Sequence, residues 1–129
     1  MKLFAAFLPL AALIAAPACA TPLGKWQNPA KSIVVRTEMC GPRLCGIILA
    51  ASPKATADAR EAGVNNLIGV SLLNQYRLTG SGVWQGRVYV PDMGQTFFSR
   101  LAEISPNQIR ISGCILGGLL CKSQVWTRV

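Results

Sequence analysis

Apolar and polar residues alternate with a period of two along most of the chain, and no long segment places apolar residues at helical spacing. That pattern is the signature of half-buried β-strands. The candidate strands, rich in Val, Ile, Phe and Trp, are Ser32 to Glu38, Leu44 to Ala50, Ile68 to Leu73, Tyr76 to Leu78, Val83 to Val90, Gln95 to Ile104, Gln108 to Ser112 and Ser123 to Arg128. Thr79-Gly80-Ser81-Gly82, Pro91-Asp92-Met93-Gly94 and Ser105-Pro106-Asn107 separate several of them and suit tight antiparallel hairpins. The one longer connection runs from Ser52 to Asn66 and predicts a helical turn or two in its alanine-rich part. Seven or eight short strands with hairpin spacing predict an all-β, closed or nearly closed antiparallel barrel, because closure removes the edges that an open sheet would expose.

The N-terminus departs from this pattern. Met1-Lys2 gives a positive start, Leu3 to Ala16 is an apolar run broken only by Pro9, and Pro17-Ala18-Cys19-Ala20 supplies small residues before Thr21. We read residues 1–20 as a secretory signal peptide cut after Ala20, with Ala18 and Ala20 at the recognised positions, and residues 21–129 as one domain. The run is shorter than the roughly 20 residues of a bilayer span, and no later stretch approaches that length, so no transmembrane segment is expected. The competing reading, lipidation at Cys19, is disfavoured by Ala16-Pro17-Ala18 before it, which lacks the usual leucine. Export implies the periplasm if the source is Gram-negative.

Loss of Cys19 turns an odd cysteine count into an even one: Cys40, Cys45, Cys114 and Cys121. An even count in an exported chain reads as disulfides. Three connectivities exist, and proximity favours Cys40 with Cys45 and Cys114 with Cys121, each next to glycines that let a short loop close. In the chain-entropy account such loops contribute roughly 2 to 2.5 kcal/mol each. Zinc is the competing use, but the spacings are wider than ribbon knuckles and an oxidising compartment favours disulfides.

Composition narrows function by exclusion. The 129 residues are 14% charged and include no histidine, so the commonest general base and metal ligand are both missing. The carboxylates Glu38, Asp58, Glu61, Asp92 and Glu103 are scattered, and no catalytic, cofactor or metal constellation emerges. The segment from Gly113 to Ser123 has the glycines and lysine of a phosphate loop but lacks Gly-Lys and a following helix pattern; it reads instead as a disulfide-clamped hairpin. Net charge is +8, yet the basic residues are spread and on strands alternate with apolar ones, as on an ordinary solvated sheet face. In three dimensions they can still form a patch for an anionic envelope component or a protein; nucleic acid is excluded as a partner by the compartment. Trp26, Trp84 and Trp126 read as core fillers before ligand platforms.

Several motifs share a source. Gly24-Lys25-Trp26 resembles the G-x-W opening of lipocalin-like (calycin) barrels, and Trp126-Thr127-Arg128 supplies a late arginine of the kind that covers that tryptophan. With Cys40-Gly-Pro-Arg-Leu-Cys-Gly-Ile-Ile48, Trp84-Gln-Gly-Arg-Val-Tyr89, Pro91-x-x-Gly94 and the stretch from Cys121 to Arg128, the chain resembles the domain of unknown function 2147 family, small exported bacterial proteins. The resemblance implies a lipocalin-like barrel of about eight strands, with Trp26 and Arg128 stacked at its closed end, and no established activity. Val90 stands where Asp or Asn is expected before the proline, and residues 52–66 lack the Asp/Asn/Pro-rich loop typical there, so a function residing in that loop does not carry over. The expectation is a non-enzymatic binding or interaction module. Its barrel is mostly filled by seven aromatics after loss of Phe4 and Phe7, and its basic surface makes the contact. A small hydrophobic-ligand (lipid) carrier is the alternative, and an enzyme with an unrecognised site the third.

Overall fold

The computed structural model describes residues 21–129; the expected leader lies outside the described residues. Eight antiparallel strands follow one another around a closed barrel: β1 (Gly24–Gln27), β2 (Ile33–Cys40), β3 (Arg43–Ala51), β4 (Ser71–Gly80), β5 (Val83–Val90), β6 (Gln95–Ser105), β7 (Gln108–Ile115) and β8 (Leu120–Arg128). Each strand pairs with its neighbours in sequence, and β1 pairs with β8 to close the ring. No helix among the described residues is long and apolar enough to cross a membrane.

The all-β barrel and both disulfides, Cys40–Cys45 and Cys114–Cys121, are as the sequence predicts. Two elements differ, and the helical turns expected in the long connection are present. β1 had no alternating run to announce it, being only four residues long. The two candidate strands at 68–73 and 76–78 are one strand, β4, which passes through a bulge where Gln75 takes a positive φ of 55° and the register against β5 shifts. In the long connection the chain makes a nine-residue helix, α1 (Pro53–Glu61). Ser52 caps it, its side chain accepting from the Ala55 amide at 3.1 Å, with Pro53 in the first turn where no amide partner is needed. Ala59 is the face that α1 buries against the barrel.

Closure is narrow. β1 pairs with β8 at Trp26–Arg128 and Gln27–Thr127, and the Val129 amide donates to the Lys25 carbonyl at 3.0 Å. The Arg128 guanidinium lies 4.3 Å from the Trp26 ring centroid and donates to the carbonyls of Leu23 (2.8 Å) and Pro106 (2.9 Å). Beneath it Trp26 is buried, its indole N–H donating to Thr37 Oγ1 at 3.0 Å, and the Thr37 hydroxyl donates on to the Pro22 carbonyl. Gly24 explains the first letter of the G-x-W opening: its φ is +140°, and a Cβ there would collide with Arg128 Nη1. One end of the barrel is thus plugged by residues 22–26 and 128 acting together.

Removal of this plug should be felt in stability. Arg128→Ala is expected to lower the unfolding free energy by about 1 to 3 kcal/mol, and Gly24→Ala to do so largely by displacing the same guanidinium. Denaturant melts of both single variants and the double variant check this: the double loss should be clearly smaller than the sum of the singles. Additive losses would separate Gly24 from Arg128.

Candidate functional site

The strand register identifies which side chains face inward. Trp84, Leu101, Ile111 and Gln124 lie opposite one another across β5 to β8, and Gly86, Ser99, Gly113 and Lys122 form the next rung towards the other end. Neighbours on a rung share a face of the sheet. Trp84, Leu101, Ile111 and Ser99 are buried, so both rungs point into the barrel.

The interior divides into two halves. Towards the plugged end Trp26, Tyr76, Leu44, Ile48, Leu73, Leu101 and Ile109 are almost wholly inaccessible and fill the space. Tyr76 owes its place to Gly86: a Cβ on Gly86 would stand 2.6 Å from Tyr76 Cγ and 2.7 Å from the Asn74 carbonyl oxygen. The ring therefore lies flat across β5, and its hydroxyl donates to Ser99 Oγ at 2.7 Å. Burial raises the Tyr76 pKa above the ordinary phenol value, with the Ser99 hydrogen bond acting the other way.

Beyond this layer the barrel opens. A cavity of about 1140 Å³ reaches the surface at the end opposite the plug, with Leu67, Leu72, Val88, Phe97, Ile111 and Trp126 among its apolar walls. The expectation of a mostly filled interior therefore holds for one half only. The large side chains that were to fill it, Trp26, Trp84 and Tyr76, are all packed away from the cavity, while Gly113 and Val88 line the open half. Trp126, read as a filler, is buried yet forms part of the cavity wall.

Four segments build the mouth. Residues 28–32 are tied by Asn28, whose Oδ1 accepts from the amides of Ser32 (2.8 Å) and Ile33 (3.0 Å) while its Nδ2 donates to Ser32 Oγ (2.7 Å). α1 contributes Lys54, Ala55 and Asp58, with Lys54 Nζ 2.8 Å from Asp58 Oδ2; that contact raises the Lys54 pKa. The β5–β6 turn presents Asp92 and Met93. The β7–β8 hairpin carries Leu116, 67% exposed, and Leu119, 84% exposed.

The residues singled out in the sequence fall at opposite ends. Cys114–Cys121 joins β7 to β8 directly across the pair below the mouth hairpin, whereas Cys40–Cys45 closes the β2–β3 hairpin at the plugged end, together with Trp26 and Arg128. Glu38 lies near the Cys40 and Cys45 sulfurs, but a disulfide offers no thiolate to a metal. The residues that sequence reasoning passed over are Lys122 and Gln124. Both line the cavity, on the inner face of β8. The signal was parity: with Trp126 inward, 124 and 122 follow.

The match to a family model for an uncharacterised protein conserved in bacteria spans residues 24–128, from β1 to the end of β8. The chain belongs to the DUF2147 family. Among solved structures it is similar to protein HP1028 from the human pathogen Helicobacter pylori, described as belonging to the lipocalin family, with a TM-score of 0.63 at 16% identity over 85% of this chain and 84% of that one. That likeness establishes the lipocalin-like fold of this DUF2147 chain. No curated protein sequence matches it.

The buried phenol gives a test of the filled half. A phenol with a raised folded-state pKa stabilises the fold fully below its unfolded value of about 10, and that contribution is lost as pH rises towards the folded value. Tyr76→Phe should cost about 1 to 2 kcal/mol at neutral pH, since it also strips Ser99 of its partner, and should flatten the alkaline fall in stability. Urea midpoints from pH 7 to 11 for both proteins measure it; parallel curves would contradict the role given to Tyr76.

Proposed function

We propose that this DUF2147 protein is an exported, non-enzymatic binding protein of the cell envelope that takes a small apolar ligand into its barrel. The cavity carries this reading: about 1140 Å³ with predominantly apolar walls is a little above the roughly 300–1,000 Å³ typical of ligand pockets. The exposed apolar residues that line its opening, Met93, Ile115 and Leu120, give such a ligand an apolar entry. Export is supported by the leader pattern and agrees with the two disulfides; in a Gram-negative source the site of action is the periplasm. The absence of catalysis is supported by the lack of histidine and by the engagement of Asp58, one of two carboxylates at the mouth, with Lys54.

A second contact is favoured by a separate feature. On the outer wall a polar concavity of about 300 Å³ gathers Arg43, Arg77 and Arg87 from three strands, with Gln75 and Gln85 between them. Such a cluster supports docking on an anionic envelope component, in line with the net charge of +8.

The neutral fluorophore phenyl-naphthylamine should enter the wild-type protein saturably at micromolar concentration, and Ile111→Trp, which fills the cavity, should lower its affinity about tenfold or more. Native mass spectrometry of protein purified from the envelope should show a small apolar adduct displaced by the fluorophore. No saturable uptake, or uptake indifferent to Ile111→Trp, overturns the carrier reading.

A further inference from the structure

The inner face of β8 is unlike the rest of the cavity. On β5, β6 and β7 the inward positions that line the cavity are Val88, Phe97, Ile111 and Gly113, all apolar, with Ser99 taken up by the Tyr76 hydroxyl, whereas β8 sets Lys122 and Gln124 opposite Gly113 and Ile111. Space has been left in front of the lysine. Its rung is Gly86, Ser99, Gly113 and Lys122; Tyr76 covers the first two, and a Cβ on Gly113 would meet only Val88 Cγ1, at 3.5 Å.

Neither group is satisfied from within. Among the described residues Lys122 has no hydrogen bond or ion pair, although Asp58 and Asp92 line the same cavity. Asp58 is held by Lys54, and Asp92 acts on the same Lys54 across the mouth. Gln124 Oε1 accepts from the Trp126 indole N–H at 3.1 Å, which fixes the amide and leaves its NH₂ as the end without a partner. The cavity thus offers an ammonium and an amide donor, two residues apart on one strand, against apolar walls.

We propose that the ligand is a single-chain amphiphile with an anionic head, its carboxylate or phosphate oxygens held by Lys122 Nζ and Gln124 Nε2 and its chain lying against Val88, Ile111 and Trp126. The proposal rests on the cavity being a ligand site and adds the chemistry of the head group. Lys122 is two residues from the mouth end of β8, so the head sits near the opening and the tail runs inward along the apolar walls. Lys122 and Gln124 are both exposed at the opening, so the preference for an anionic head comes from a charge-assisted contact that a neutral head cannot make.

The structural alternative for Lys122 is protection of a strand edge. β1 is short and pairs with β8 only at Arg128 and Thr127, so the mouth half of β8 has β7 as its only strand neighbour among the described residues, and inward charges deter edge-to-edge association. That role predicts aggregation on loss of the charge and no effect on ligand choice.

Decanoate, decyl phosphate and decanol, titrated by displacement of phenyl-naphthylamine, separate these readings. Wild-type protein should bind at least one of the two anions about tenfold more tightly than decanol. Lys122→Met and Lys122→Gln should each bring the anions to the level of decanol while decanol itself is unchanged, and Lys122→Arg should restore most of the preference. Whichever anion binds more tightly identifies the head as carboxylate or phosphate. Equal affinity for decanol and both anions, or a preference that survives in both Lys122 variants, overturns the head-group assignment while leaving the cavity reading intact. Failure of all three to displace the fluorophore overturns both.

Discussion

Closing a sheet with a strand of four residues is the constraint on which this fold depends. β1 offers β8 only two paired positions, too few for ladder hydrogen bonds alone to hold the seam. The chain compensates by loading one side chain with several tasks: Arg128 lies on the Trp26 ring and ties the carbonyls of Leu23 and Pro106, so the N-terminal segment, the β6–β7 turn and the end of β8 meet at one guanidinium. A lysine at 128 would supply the charge but not the planar, multiply donating head.

The short β1 has a second consequence at the far end. Because β1 stops at Gln27, the mouth half of β8 lacks a strand partner on that side among the described residues, and the chain beyond β1 is the loop tied by Asn28. The ring is complete at the plug and loose at the mouth. Large side chains follow the same gradient: Trp26, Tyr76 and Trp84 are packed into the narrow end, with Gly24 and Gly86 giving up their side chains to admit Arg128 and Tyr76. Stability is concentrated in one half, and the Cys114–Cys121 bridge restrains the other where ladder support is weakest.

Much of the fold was legible because its signals are local. Alternation located β2, β3 and β5 to β8, and the cysteines paired with their nearest neighbours because hairpins bring nearest neighbours together. The strand count of eight was reached through two cancelling differences: β1 is too short to alternate visibly, and the bulge at Gln75 interrupts the alternation of β4 so that one strand reads as two. The cavity was not legible. It depends on which aromatics share a layer, a matter of register between strands distant in sequence, and a count of aromatics carries no such information. Lys122 and Gln124 were hidden for another reason: Cys121 to Arg128 is polar on both faces, so its pattern does not announce an inside until Trp126 is known to be buried.

An open apolar cavity also has an energetic consequence. Walls such as Val88 and Ile111 are largely buried already, so an occupant adds roughly 25 cal/mol only for each Å² of wall still open to water. Occupancy and stability are linked all the same: any occupant that binds the folded chain alone raises its unfolding free energy by RT ln(1 + [L]/Kd). The increment arises in the half where ladder support is weakest, so the segments around the mouth, residues 28–32, α1 and the β7–β8 hairpin, are where filling the cavity should order the chain most. Because the plug is built from residues that do not touch the cavity, the barrel can be closed and folded before any ligand arrives.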